Sequence, residues 1–182
     1  MAERFSELNP THIEFIQNQH IFFVATARST GTVNVSPKGS DSLRILAPDQ
    51  LVWLNLTGSG NESAAHILES SRMTLMFCSF EKQPLILRLY GSALAVHPRD
   101  PAWQHYVDLF PADCGARQIF IMTLEQVQTS CGYAVPYYAY QGERNTLHNW
   151  SGKKGLNGIR QYWEQKNQIS LDGFETLILD HS

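Results

Sequence analysis

The chain has 182 residues, of which 43% are hydrophobic and 17% charged, and its formal net charge is −3. The apolar content suffices for one packed core, and the weakly negative balance provides no basic field for nucleic acid. No apolar run approaches the ~20 residues of a membrane span, and the N-terminus lacks a signal-peptide pattern. We therefore expect a single-domain protein of the cytoplasm that binds neither nucleic acid nor a membrane.

The predicted elements are mostly strands joined by turns or short links. Because few helices separate these strands, an antiparallel sheet or barrel is favoured over a doubly wound parallel sheet. Residues 130–151 have no periodicity and predict a long ordered loop, a kind of segment that is often functional. The predicted strands cover residues 21–28, 32–38, 43–46, 51–56, 73–80, 85–96 and 119–129, and the predicted helices open at Pro10 and cover 62–70, 101–109 and 155–167.

Polar and apolar residues alternate along the predicted strand 32–38. Val33 and Val35 lie on one face, and Ser36 and Lys38 lie on the other. A hydroxyl and an ammonium on one face are suited to a phosphate group. The alternative interpretation is a solvated lysine at the edge of a sheet.

A glycine-rich segment links the predicted strand 51–56 to the helix that follows it. Glycines permit a tight turn, hydroxyls offer hydrogen bonds, and a helix N-terminus presents free N–H groups to an anion. These are features of a phosphate-binding loop, although the spacing differs from the dinucleotide fingerprint. The alternative is a tight turn followed by a helix that Asn61 caps. The residues concerned are Thr57, Gly58, Ser59, Gly60, Asn61 and Ser63.

Two further groups are candidates for ligand contact. Arg88 and Tyr90 share one face of strand 85–96, where the arginine could pair with a ligand anion or a partner-subunit carboxylate, or lie along the surface. The aromatic loop 131–150, with Arg144 and Trp150, could stack on a planar ring or cover a hydrophobic seam. Each group therefore has a binding interpretation and a structural one.

The spacings of the cysteines and histidines do not match metal-binding motifs. Cys78, Cys114 and Cys131 have no CxxC spacing and are expected to be reduced thiols. The seven histidines form no HExxH motif, and neither GxSxG nor GxxxxGK[ST] occurs. The remaining interpretation is a metal-free site for an anionic, planar small molecule.

The order of these motifs resembles the pyridoxamine 5′-phosphate oxidase-like superfamily. The resemblance rests on HIFFVATA, GTVNVSPKGSDSLRIL, LVWLNLTGSGNESAAHIL, SRMTLMFCSF and PLILRLYGSALAV, and it covers roughly residues 8–130. The later stretches SCGYAVPYYAY and WSGKKG are similar to the tail of the subgroup known as related FMN-binding proteins.

This resemblance implies a mainly β (α+β) fold, a six-stranded antiparallel split β-barrel with flanking helices. Residues 1–182 would form a single FMN-binding domain, with 130–182 as a C-terminal loop and helix extension. A homodimer with FMN between the subunits is also implied. The implied cofactor-binding residues are Ser36, Lys38, Thr57, Gly58, Ser59, Gly60, Asn61, Ser63, Arg88, Arg144 and Trp150.

The C-terminus departs from that of true pyridoxamine phosphate oxidases. Those enzymes close with an Arg-x-His pair that grips the substrate phosphate, whereas this chain ends in GFETLILDHS. The difference argues against the vitamin B6 oxidase reaction without affecting the cofactor. The resemblance favours an FMN-dependent oxidoreductase acting on a small molecule, with its catalytic residues unassigned. The alternative is a non-catalytic module that binds flavin, deazaflavin or haem.

Overall fold

The structure is a computed structural model that describes residues 2–179. Within this range most strands follow one another through turns or short links, as the sequence pattern predicts. The strands and helices are β1 (Glu3–Phe5), α1 (Pro10–Gln17), β2 (Phe22–Thr26), β3 (Asn34–Lys38), β4 (Leu43–Ala47), β5 (Gln50–Leu56), α2 (Glu62–Glu69), β6 (Arg72–Cys78), β7 (Ile86–Val96), α3 (Trp103–Val107), β8 (Ala116–Ser130) and α4 (Thr146–Lys166).

All eight strands belong to one antiparallel sheet, in which seven follow the order β3-β2-β6-β7-β8-β5-β4 and β1 pairs with β8 outside this order. The long strand β8 pairs with β7 on one side, and on the other side with β5 and then with β1. Among the described residues no ladder joins β3 to β4, so the sheet is not closed. The α+β fold of the split-barrel type is therefore confirmed, with eight strands where the resemblance implied six. β1 escapes a sequence pattern because three residues are too few to show a period of two.

The core lies on the inner face of the curved sheet. Alternation along β7 buries Leu87 and Leu89 completely and leaves Arg88 and Tyr90 half-buried on the opposite face, as predicted. The inner side chains of β2, β5, β6 and β8 complete this cluster, and α1 contributes Ile16. Burial of about 0.8 kcal/mol per methylene makes such a cluster the main source of stability.

The C-terminal region is more ordered than its composition suggests. The loop predicted over 130–151 is limited to 131–145, because β8 runs through Ser130 and α4 begins at Thr146. Gly155 interrupts α4 with φ 61° and ψ 176°, a conformation that suits glycine. The first turns of α4 are held from outside by a hydrogen bond from Ser151 Oγ to Asp113 Oδ1 at 2.9 Å. No local pattern predicts this long-range contact.

Helix α4 is anchored to the sheet close to the glycine-rich segment. Trp163 Nε1 donates to Thr57 Oγ1 at 2.9 Å, and Ile159 and Trp163 form a small apolar cluster with Ile178 and Leu179. The chain beyond α4 therefore returns beside the segment predicted to bind phosphate. Within residues 2–179, no helix has the length and hydropathy needed to cross a membrane.

Candidate functional site

A cavity of about 580 Å³ lies where the sheet fails to close. Strand β3 faces β5 and β8 across it, and the N-terminus of α2 and the chain after α4 form its remaining walls. Seven of the eleven predicted cofactor-binding residues contribute to its lining. The lining is Asn34, Ser36, Lys38, Trp53, Asn55, Leu56, Gly58, Ser59, Gly60, Asn61, Glu62, Ser63, Arg117, Lys166, Ile169, Ser170 and Leu171.

Strand β3 turns its polar face toward this cavity. Ser36 and Lys38 line it, as their shared face predicted, whereas Val33 and Val35 are 69% and 61% exposed on the other side. The ammonium nitrogen of Lys38 lies 5.1 Å from the centroid of the Trp53 ring. Burial, reinforced by the positive charge of Arg117, lowers the pKa of Lys38 to about 8. Lys38 is therefore a protonated, poorly solvated cation at neutral pH.

Arg117 is a second cation of the cavity and is 3% exposed. Its Nη1 donates to the Gly60 carbonyl and to Asn167 Oδ1, both at 2.9 Å, while its Nε has no hydrogen-bond partner within residues 2–179. Burial lowers the pKa of Arg117 to about 9, against the opposing effect of Tyr162 and Glu62. The guanidinium is still charged at pH 7 and forms no salt bridge with a carboxylate in the described part of the chain.

The glycine-rich segment presents backbone donors. Across residues 2–179, the N–H groups of Ser59, Gly60 and Asn61 have no hydrogen-bond acceptor. The carbonyls of Gly58 and Ser59 accept from Asn167 Nδ2 at 3.1 and 3.4 Å. In a trans peptide the N–H points opposite to the preceding C=O, so the N–H groups of Ser59 and Gly60 face away from Asn167. Successive free N–H groups at a helix N-terminus form an anion-binding concavity.

The prediction that Asn61 caps α2 is right in the position of the residue and wrong in the hydrogen bond that its side chain makes. Asn61 occupies the N-cap position of α2, but its side chain makes no capping bond. Its Nδ2 donates instead to the Asn167 carbonyl at 3.4 Å, and its Oδ1 is buried without a partner within residues 2–179. The contact with the chain after α4 takes the place of the cap.

Four predicted residues lie outside the cavity lining. Thr57 is fully buried behind it, and its hydroxyl donates to the Gly115 carbonyl at 2.8 Å. Arg88 donates to Ser130 Oγ at 3.0 Å on the outer face of the sheet. Trp150 packs edge-on against Tyr162, and Arg144 lines a smaller, separate cavity. Their roles in cofactor binding stay predictions.

No local sequence pattern marks several residues of the lining as members of a binding site. Arg117 stands alone before an apolar run, and the predicted strand there begins only at Ile119. Trp53 and Asn55 lie within a mainly apolar strand. Nothing local distinguishes such residues from ordinary members of a sheet, so only the fold identifies them.

A second cavity of about 530 Å³ lies beside α1 and the turn between β3 and β4. Its arginine, Arg44, forms a bidentate pair with Asp41 at 2.6 and 2.8 Å. Because this positive charge is already compensated, the second cavity is less suited to an anion than the one that contains Lys38 and Arg117.

Comparisons with known proteins agree with the resemblance found in the motifs. The family model for pyridoxamine 5′-phosphate oxidase matches residues 8–131. A pyridoxamine 5′-phosphate oxidase family protein of Aspergillus flavus, ustO, is 39% identical over 123 residues, which are 65% of this chain and 49% of that protein. The chain thus spans about half the length of this curated relative.

Two solved structures share the fold. One is HupZ from Group A Streptococcus, with a TM-score of 0.53 and 18% identity over 66% of this chain and 91% of that chain. The other is a candidate pyridoxamine 5′-phosphate oxidase from Lactobacillus delbrueckii, with a TM-score of 0.54 and 20% identity over 68% of this chain and 94% of that chain. At such low identity these likenesses concern the fold alone. The C-terminal segment GFETLILDHS stands where true pyridoxamine phosphate oxidases have an Arg-x-His pair. This segment includes residues 180–182, which lie outside the described residues.

Proposed function

This chain belongs to the pyridoxamine 5′-phosphate oxidase family, and we propose that it binds FMN in the cavity between β3 and β8. The observation that carries the proposal is the pair Lys38 and Arg117, two cations that line one cavity with no salt-bridge partner among residues 2–179. A buried charge without a partner is costly. A phosphate dianion would compensate both charges and would also accept from the free N–H groups of Ser59 and Gly60.

The size and chemistry of the cavity fit this ligand. Small-molecule sites have volumes of roughly 300–1,000 Å³, and this cavity has about 580 Å³. Beyond the cations, Asn34, Asn55 and Ser170 supply polar groups, and Trp53 Nε1 is buried without a partner within residues 2–179. A planar ligand with several polar atoms would use such donors and acceptors.

We propose that the protein is an oxidoreductase acting on a small molecule. Bound FMN would supply hydride or electron transfer. The titratable residues of the lining are Lys38, Glu62, Arg117 and Lys166, and Glu62 is engaged because its Oε2 accepts from the Leu171 N–H at 2.9 Å. The residues of the chain thus bind and orient the cofactor, and none is assigned as a general acid or base.

Flavin binding is tested by the absorption spectrum of the purified protein and by titration with FMN and riboflavin. Riboflavin lacks the phosphate, so we expect FMN to bind roughly 100-fold more tightly. Equal affinities would contradict the phosphate assignment. No flavin retained or taken up at micromolar protein would contradict the FMN proposal.

Turnover separates an oxidoreductase from a binding module. The measurement is the steady-state oxidation of a reduced nicotinamide with an electron acceptor, with free FMN as the control. Turnover by the FMN-loaded protein above this control supports the proposal. A bound flavin that no donor reduces would indicate a non-catalytic flavin carrier or sensor instead.

We also propose that the protein is a homodimer that uses the outer face of β3. Val33 and Val35 are exposed there, and Phe23 and Ala25 of β2 are half-buried beside Pro37 and Val35 in the same face. An apolar sheet face on a chain with only 17% charged residues is typical of a subunit interface. The polar face of the same strand lines the cavity, so the interface would lie next to the cofactor.

Light scattering after size exclusion tests the dimer. We expect a dimeric wild type and a monomeric Val35→Glu variant, because a charge in an apolar interface is strongly unfavourable. Leu156→Glu is the matched control, since Leu156 is also exposed, at 74%, but lies on α4. A monomeric wild type, or a Val35→Glu variant that remains dimeric, would contradict this interface.

We place the protein in the cytoplasm. Its three cysteines are free thiols, with Cys78 buried and Cys114 and Cys131 exposed, and reduced thiols are typical of that compartment. Fluorescence microscopy of a tagged chain in its own cells tests this placement, which a signal confined to another compartment would contradict.

A further inference from the structure

One wall of the cavity comes from a part of the chain that the family match does not cover. The match ends at residue 131, whereas Lys166, Ile169 and Leu171 line the cavity. Asn167 lies among them in sequence but does not belong to the lining, and it is fully buried. It therefore acts on a ligand only through its neighbours.

Both ends of the Asn167 amide hold residues of the cavity. Oδ1 accepts from Arg117 Nη1 at 2.9 Å, and Nδ2 donates to the carbonyls of Gly58 and Ser59 at 3.1 and 3.4 Å. The backbone of Asn167 is fixed independently, since its carbonyl accepts from Thr176 Oγ1 at 2.6 Å. One side chain thus connects the buried cation to the glycine-rich segment.

These bonds determine where the donors point. Because the Gly58 and Ser59 carbonyls are tied to Asn167, the N–H groups of Ser59 and Gly60 point to the opposite side of their peptide planes. The bond to Arg117 also fixes one arm of a guanidinium whose Nε has no partner within residues 2–179. Without the amide, both peptides could rotate and the guanidinium would keep only the Gly60 carbonyl as an acceptor.

We propose that Asn167 is a positioning residue of the phosphate site, which orients Arg117 and two peptide groups of the glycine-rich segment toward the phosphate. The inference rests on the proposed FMN function. It assigns a role in binding to the region after α4, where the family match gives none.

The test measures dissociation constants for FMN, riboflavin and inorganic phosphate with Asn167→Ala. Asn167 is linked to the phosphate donors, so we expect FMN and phosphate to bind about tenfold more weakly and riboflavin to bind within about twofold of wild type. The FMN-to-riboflavin ratio is the decisive readout, because a general loss of structure would weaken both flavins equally.

Two other variants complete the experiment. Thr176→Val removes the bond to the Asn167 backbone and is expected to lower the melting temperature without changing the affinity ratio. Asn167→Asp keeps the size of the side chain, but it replaces the amide donors with oxygen and places a negative charge beside Arg117. It is expected to weaken FMN binding even if the alanine variant does not fold.

The possible outcomes distinguish this inference from the proposed function. A folded Asn167→Ala or Asn167→Asp variant with the wild-type FMN-to-riboflavin ratio overturns the role of Asn167 and leaves FMN binding intact. An equal change in the ratio with Thr176→Val also overturns it, because the effect would then be structural. A wild type that binds phosphate but not FMN contradicts the flavin proposal. In that case a tenfold loss of phosphate affinity in Asn167→Ala would still support the positioning role of Asn167. A wild type that binds neither overturns both.

Discussion

Lys38→Met separates the contribution of this side chain to ligand binding from its contribution to folding. The lysine lies in the cavity with its charge poorly solvated, and its only described partner is the Trp53 ring at 5.1 Å. Methionine has a similar length and no charge. We expect the variant to bind FMN more weakly and to be more stable without ligand.

The magnitude follows from the pKa of Lys38, which falls from 10.5 to about 8. At about 1.36 kcal/mol per unit, the charged form is disfavoured in the folded protein by on the order of 3 kcal/mol. Methionine removes this cost but also removes the contact with Trp53, which contributes roughly 0.5–1 kcal/mol. The expected net gain is about 2–2.5 kcal/mol, or an increase in melting temperature of roughly 4–10 °C.

The stability of the ligand-free wild type should depend on pH above pH 8. The folded protein has the lower pKa, so between pH 8 and 10.5 the unfolded chain binds more protons and stability rises with pH. The ligand-free wild type therefore carries the full cost below pH 8. FMN affinity of the wild type should fall above pH 8, because Lys38 loses its proton in the ligand-free protein.

The stability effects are measured by calorimetric unfolding without ligand at pH 7 and at pH 9.5. The effect on binding is measured by FMN titration at pH 7. We expect FMN affinity to fall roughly 10- to 100-fold, the scale of a charge-assisted contact. The stability difference between variant and wild type should be smaller at pH 9.5. Lys82→Met is the control, since Lys82 is exposed in the turn between β6 and β7. A destabilised Lys38→Met variant would refute the argument from buried charge, and an unchanged FMN affinity would refute the phosphate assignment.

Two further predictions concern the scaffold. A Cβ added at Gly91 would lie 2.0 Å from the Thr123 carbonyl oxygen, so Gly91→Ala should lower the free energy of unfolding by roughly 2 kcal/mol or more. The control, Gly152→Ala, places its Cβ in open space on α4 and should be neutral or slightly stabilising. Urea unfolding of both variants checks this, and equal effects would contradict it. Burial alone would raise the pKa of Asp113, but hydrogen bonds, first from His148, lower it below 3.8. The ionised Asp113 carboxylate therefore stabilises the folded state above pH 3.8, and this stabilisation is lost in acid. Asp113→Asn should lower the free energy of unfolding by roughly 1 kcal/mol at pH 7 and by less at pH 3. A difference between variant and wild type that does not depend on pH would contradict this assignment.

Local periodicity was sufficient to predict most of the scaffold and part of the site. The alternation of β3 placed Ser36 and Lys38 on one face, and the glycine-rich segment was correctly located between a strand and a helix. Both are properties of neighbouring residues, which a period of two and the start of a helix reveal directly.

The sequence by itself determined which residues share a face, and the tertiary structure decided which face is inside. An apolar strand face normally packs on the core, yet Val33 and Val35 face outward because the polar face of β3 borders a cavity in an unclosed sheet. Arg117 and Asn167 are 50 positions apart, and Asn167 and Gly58 are 109 apart. Contacts over such distances depend on the path of the whole chain, so no local pattern of residues encodes them.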